Sequence, residues 1–252
     1  MQVKSIRDRV ADRASTGAGQ HLEALLHKAQ EIAREVVSPT TEAVDRDARW
    51  PEAGIRALQQ AGFGGLVVPA AYGGKGHGLL ALARVCEVLG QECASTAICF
   101  GMHSVGASVI SANATPDQQV RFLAPICEGR HITTLSLSEA GTGAHFYLPQ
   151  TSLESLSAER YSLTGTKTFV TNGGHADSYV VSAVAADPDA PVGQFSCIVV
   201  PADAAGLKWG SPGMASGCAA IPRAPWNCTG WRCRTATCWA RKATRSGTSS
   251  TW

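Results

Sequence analysis

The period of the apolar residues changes once along this chain, and that change limits the folds open to it. Up to about Cys127 apolar side chains recur at three- and four-residue spacing, as on helices with one buried face; from Ile132 they alternate, as on strands. Leu22, Leu25, Leu26, Ala29, Ile32, Ala33 and Val36 form the first helical stripe, with Pro39 after its expected stop. A second helix is expected from Pro51 to Gly62, with Ile55, Leu58 and Ala61 on one face. Gly62 to Gly78 reads as turns, then Leu79 to Gly90 and Ala94 to Ala112 as further helices. Thr115-Pro116-Asp117 is a cap with proline in the first turn, opening a short helix to Cys127. Strands are expected at Ile132–Ser136, Tyr161–Leu163, Thr166–Thr171, Tyr179–Ala183 and Phe195–Val200, with Thr164-Gly165 as a hairpin turn. Helices followed by strands, without βαβ alternation, predict an α+β chain: a helical domain over 1–130, then an antiparallel β domain over 131–214.

Composition matters at two points. With 44% hydrophobic and 17% charged residues in 252, the chain has the makings of a packed core and is not a disordered polyelectrolyte. No apolar run approaches the roughly 18 residues of a membrane span. Met1 to Gln20 carries charges and lacks the apolar centre of a secretory leader, so the expectation is a cytoplasmic protein with no membrane partner. The second point is a break near residue 210. Beyond it lie Arg223, Arg232, Arg234, Arg241, Lys242 and Arg245 with no acidic residue, four of nine Cys, four of six Trp, and no Leu, Val or Phe. Residues 215–252 therefore form an aberrant basic tail.

Two segments have residue types suited to holding a ligand. In Ser136-Leu137-Ser138-Glu139-Ala140-Gly141-Thr142-Gly143-Ala144-His145, two glycines two apart let backbone N–H groups approach an anion closely, although a plain tight turn has the same pattern. In Lys167-Thr168-Phe169-Val170-Thr171-Asn172-Gly173, an aromatic and a hydroxyl two apart share one face of a strand and suit a flat ring, although a buried Phe beside a strand-end Thr reads equally well. His145, beside Phe146-Tyr147-Leu148-Pro149, reads as an exposed turn histidine. Cys86, Cys93, Cys99, Cys127 and Cys197 lie in apolar patterns and read as buried thiols. The tail cysteines Cys218, Cys228, Cys233 and Cys238 contain no C-x2-C pair, so no metal site is expected.

Tyr72-Gly73-Gly74, then Ser138-Glu139-Ala140-Gly141-Thr142-Gly143, then Phe169-Val170-Thr171-Asn172-Gly173, resemble in order and spacing the acyl-CoA dehydrogenase family, whose pattern is T-E-P-G-S-G-S-D followed by W-I-T-N-G or F-V-T-N-G. The resemblance covers about residues 20–214. It implies a flavoenzyme of three domains, helical, β and a C-terminal four-helix bundle, with FAD between the last two. Carried over by position, Leu135, Ser136, Leu137, Ser138, Gly141, Thr142 and Gly143 would line the flavin and its pyrophosphate, Ser138 bonding the ring. Phe169 would lie along the ring, with Thr171 reaching towards N5 and Val170 between them also in the cofactor site. Ala144 stands where the family has a serine near the pyrophosphate and the thioester, so the substrate contact there has lost its hydroxyl.

The implied reaction is α,β-desaturation of an acyl-CoA, with electrons passed to an electron-transfer flavoprotein or similar acceptor. An α-proton is only modestly acidic, so a positioned carboxylate is required as base. The family's base lies in the C-terminal bundle, expected only beyond this chain, so no catalytic residue is assigned and the chain is expected to be a truncated, inactive form. The family's oligomer contacts also lie in that bundle, so no homo-oligomer is expected. The alternatives are a flavin-dependent monooxygenase of the same fold and a non-enzymatic fragment that binds acyl-CoA or a partner. Cys and Trp codons begin TG, so a frame one base earlier reads Leu, Val or Met at Cys218, Trp226, Cys228, Trp231, Cys233, Cys238, Trp239 and Trp252. That frame accommodates a family-like N-L-L-G-E-E-G-D. The tail is therefore expected to be an out-of-frame translation from about Met214 to Gly217, and its basic charge implies no nucleic-acid partner.

Overall fold

The computed structural model describes residues 17–157, 160–186, 195–209, 226–234 and 238–239. The expectations for the chain's first residues, for the start of the tail at Met214 to Gly217, and for Cys218, Arg223, Arg241, Lys242, Arg245 and Trp252 lie outside the described residues.

The first helical stripe forms α1 (Gly17–Ile32), but the chain does not leave the helical path at Pro39. A π turn over Ala33–Val37 and a 3-10 turn over Ser38–Thr40, with Pro39 in its first turn, lead into α2 (Thr41–Arg46). The wider π turn advances the buried stripe by one residue, so Val37 is buried where Val36 was expected. Thr41 closes this corner by donating to Val37 O and Glu92 O. Pro51 precedes α3 (Glu52–Gln60), which buries Ile55 and Leu58 and ends before Gly62, whose φ of +76° suits glycine. Then come α4 (Leu79–Glu92) and α5 (Ala94–Ala112), joined by the single extended residue Cys93. Thr115 makes a full capping box with Gln118: it accepts from the Gln118 amide, and Gln118 Oε1 accepts from its own. That box opens α6 (Pro116–Gln118), which continues through a π turn into α7 (Ala124–Cys127).

Contrary to the expectation that no stretch approaches a membrane span, α5 is, among the described residues, long and apolar enough to cross one, and 56% of its apolar window is buried inside the fold. It packs against α4 and the first strand. Its His103 is neutral by its bonds: Nδ1 accepts from the Thr133 amide, so Nε2 carries the proton donated to Gly64 O. Cys86, Cys93, Cys99, Cys127 and Cys197 are free thiols; Cys93 and Cys99 are buried, whereas Cys86, Cys127 and Cys197 are only half-buried, contrary to expectation.

The strands are β1 (Thr133–Ser136), β2 (Ser152–Ser157), β3 (Arg160–Lys167), β4 (Ser178–Ala185), β5 (Ser196–Pro201), β6 (Leu207–Trp209), β7 (Trp226–Arg234) and β8 (Cys238–Trp239). Hydrogen-bonded neighbours run β6-β7-β3-β2-β4-β5-β8, with β1 also paired to β4. The sheet is mixed, not antiparallel throughout as expected. β1 and β2 lie one after the other along the same edge of β4, both parallel to it: β1 meets Ser178 to Val181 and β2 meets Val184 and Ala185. The connection from β1 to β4 contains a whole hairpin, which is length enough to return the chain in the same direction.

Thr164-Gly165 is not a hairpin turn but lies inside β3; the hairpin joins β2 to β3. Gly165 is there for clearance, since a Cβ would lie 2.4 Å from Thr151 Oγ1 and 2.7 Å from Thr151 Cα. Helices and sheet share one hydrophobic cluster, from Ala29, Leu58 and Phe100 through Leu153 and Leu163 to Val181 and Ile198. At their junction His131 Nε2 lies 2.8 Å from Ser178 Oγ, which donates to Thr133 Oγ1, while Asp177 accepts from the Ile132 amide.

Candidate functional site

After β1 the chain leaves the edge of β4 at Leu137 and returns to it at Ser152, so residues 137–151 form a loop standing off the sheet. Its foot is a buried ion pair. Glu139 Oε1 lies 2.6 Å from Lys167 Nζ, with the two side chains 3% and 1% exposed. Every proton of the ammonium has an acceptor: Glu139 Oε1, Ser182 Oγ at 2.9 Å and Leu137 O at 3.3 Å. The carboxylate also accepts from Thr151 Oγ1 at 2.6 Å, the Thr151 amide at 3.0 Å and the Gln150 amide at 2.5 Å. Burial pushes the Glu139 carboxyl up, but these donors outweigh it and hold it below the usual carboxylate range. Burial likewise draws the Lys167 ammonium below the ordinary lysine value against the opposing pull of Glu139.

The two glycines of the loop serve different ends. A Cβ on Gly141 would lie 2.7 Å from the Gln150 amide group, whereas Gly143 has a φ of +52° and open space around its Cα. Thr142 turns inward, its hydroxyl donating to Glu139 O, and its amide and that of His145 are used inside the loop. The exposed amides of Gly141, Gly143 and Ala144 have no acceptor among the described residues. Unpaired amides beside a left-handed glycine are backbone groups that can receive an anion. His145 is exposed and bonds the Tyr147 hydroxyl at 2.7 Å, as a surface turn would have it.

The second segment is tied to the first by one backbone bond, Thr168 N to Ser138 O at 2.8 Å. β3 ends at Lys167, and Phe169 takes a left-handed φ of +54°. Phe169 and Thr171 therefore do not share one face of a strand as expected: Phe169 is 62% exposed, while Thr171 and Val170 are buried. Asn172, also left-handed at +61°, accepts from Trp50 Nε1 at 3.0 Å and donates to Cys99 O at 2.9 Å. Trp50 in turn stacks on His175, 4.6 Å between centroids and 3° between planes. The turn is thus pinned from the helical side. Leu135, Leu137 and Ser138 are half-buried; Ser136 Oγ and Thr168 Oγ1 are buried without a hydrogen-bond partner among the described residues.

Sequence reasoning brought forward both segments but missed Lys167, Thr151, Ser182 and Trp50. One signal was present for Lys167: it shares the inward parity of Leu163 and Gly165, and an inward lysine requires a carboxylate. Among the described residues no cluster of three metal-ligating side chains occurs.

The N-terminal domain model of the acyl-CoA dehydrogenases matches residues 19–130, and the middle domain model of the same enzymes matches 134–226. A short-chain-specific acyl-CoA dehydrogenase of Clostridium acetobutylicum is 31% identical over 156 residues, 62% of this chain and 41% of that protein. The chain spans about half or less of the length of the first curated relatives it matches. Butyryl-CoA dehydrogenase from Megasphaera elsdenii superposes with a TM-score of 0.79 at 22% identity, covering 87% of this chain and 58% of that one. An acyl-CoA dehydrogenase from Bacillus anthracis, complexed with FAD, gives 0.77 at 21% identity, covering 88% and 38%. These two likenesses show the fold.

Proposed function

The chain belongs to the acyl-CoA dehydrogenase family, and on that premise we propose that it is the helical and β part of an FAD-dependent oxidoreductase that desaturates an acyl-CoA thioester between Cα and Cβ. FAD, when bound, supplies the hydride acceptor. The observation that carries the reading is the joining of two segments by the Ser138–Thr168 bond: a loop with unpaired amides and a turn with an exposed aromatic. The amides of Gly141, Gly143 and Ala144 would hold the pyrophosphate. The Ser138 hydroxyl, with the unpartnered Ser136 and Thr168 hydroxyls close by in the chain, would bond the polar edge of the ring. Phe169 would lie along the ring, Val170 would back it, and Thr171 would orient towards N5. Ala144 would meet the thioester end of the substrate through its amide alone.

Glu139, the loop's own carboxylate, is not available as base, because it is bonded to Lys167, Gln150 and Thr151. In this reading the base, the second wall of the flavin site and the docking of an electron-transfer flavoprotein belong to the family's C-terminal helical domain. The test is titration of the purified chain with FAD, followed by quenching of flavin fluorescence. One FAD per chain is expected, and Gly143→Val, which strains a φ of +52°, is expected to weaken it at least roughly tenfold. Failure of the wild-type chain to bind, or equal binding by the variant, refutes the assignment.

A further inference from the structure

The buried pair at the foot of the loop joins four pieces of chain that are distant in sequence. β1 and β2 leave Ser182 and Ala183 uncovered on their edge of β4, and Lys167 Nζ bonds Ser182 at that interval. Glu139 binds the amides of Gln150 and Thr151, so one carboxylate joins the beginning of the loop to its end. Leu137 O, Ser138 O and Glu139 Oε1 are received in turn by Lys167 Nζ, Thr168 N and Lys167 Nζ. Three consecutive residues of the glycine loop are thus attached to two consecutive residues preceding Phe169. Gly165 makes this possible, because only a residue without Cβ lets β3 pass Thr151 closely enough for Thr151 to reach Glu139.

We propose that Glu139 and Lys167 are a positioning pair: a clasp that sets the unpaired amides of Gly141, Gly143 and Ala144 at a fixed distance from the Phe169 turn, so that FAD affinity depends on it. The FAD part rests on the functional reading above; the clasp itself does not. With Lys167 shortened to an apolar group, Glu139 is left as a buried charge without its cation, and the loop must open to hydrate it.

The experiment uses the full chain with Lys167→Met, and the charge-neutral double variant Glu139→Gln/Lys167→Met, which carries the same measurements if the single variant does not fold. Amide hydrogen exchange is read at Gln150, Thr151 and Thr168, with the amides of α5 as internal reference, and FAD affinity and the shape of the flavin absorption band are read on the same samples. Expected in Lys167→Met is exchange at the three amides faster by roughly tenfold or more, and in the double variant a smaller increase from loss of the Lys167 bonds to Leu137 O and Ser182 Oγ, with α5 unchanged, FAD dissociation constants raised in parallel and an altered flavin band in each. Unchanged exchange at those amides overturns the clasp. Faster exchange with unchanged FAD affinity and band shape makes the pair structural only and overturns the positioning role. A wild-type chain that binds no FAD refutes the flavin reading, and exchange alone then decides the clasp.

Discussion

Acid is expected to unfold this chain partly through one histidine. His131 sits where the last helix meets the sheet, edge-on to Phe122 and bonded to Ser178. Burial lowers it to about 4, against the opposing pull of Asp177. An unfolded histidine titrates near 6.5. The folded value is depressed, so the stability at stake is fully present above about pH 6.5 and is lost as pH falls towards 4, because the unfolded chain takes up a proton that the folded chain refuses. Each unit is worth about 1.4 kcal/mol, which gives a loss of about 2.5 kcal/mol between pH 7 and 4.5 from this residue. Urea unfolding of the wild-type chain and of His131→Gln, at half-unit steps across that range, isolates the contribution, since other groups titrate in both. Glutamine keeps a donor for Ser178 and cannot take the proton. The variant should lose about 2.5 kcal/mol less than the wild type over the range. Parallel curves, within about 0.5 kcal/mol of each other, would show that the His131 site does not exclude the proton and would refute the argument.

Two substitutions test the packing that positions the candidate site. Gly165→Ala places a methyl 2.4 Å from Thr151 Oγ1 and 2.7 Å from its Cα, so the backbone must move; a loss of about 1–3 kcal/mol in chemical denaturation is expected, with faster exchange at the Thr151 amide. Wild-type stability in that variant would mean that β3 does not pass Thr151 so closely. Trp50→Phe removes the donor to the buried Asn172 Oδ1 and should cost about 1–2 kcal/mol, loosening the turn at 169–175. Unchanged hydrogen exchange in that turn would show that the helical side does not hold it.

What was legible in the sequence is what depends on near neighbours. Helical and strand periods follow from side chains a few residues apart, so α3, α4, α5, β1, β4 and β5 lie close to where the pattern placed them. Thr115-Pro116 shows its cap in adjacent letters, and Gln118 completes the box in the structure. The motifs around Ser138 and Phe169 could be read in order because each is contiguous. Even local readings failed where a distant group intervened: Gly165 looked like a turn residue, and its reason is Thr151.

The sequence by itself determined the helical and β-rich halves, the family resemblance and the two segments that matter. Only the tertiary structure decided that β1 and β2 share one edge of β4, that Phe169 leaves the strand, and that Lys167 is neutralised by Glu139. Strand order and burial of charge are settled by which long-range contacts satisfy backbone and ionic groups together, and no short stretch of residues contains both partners.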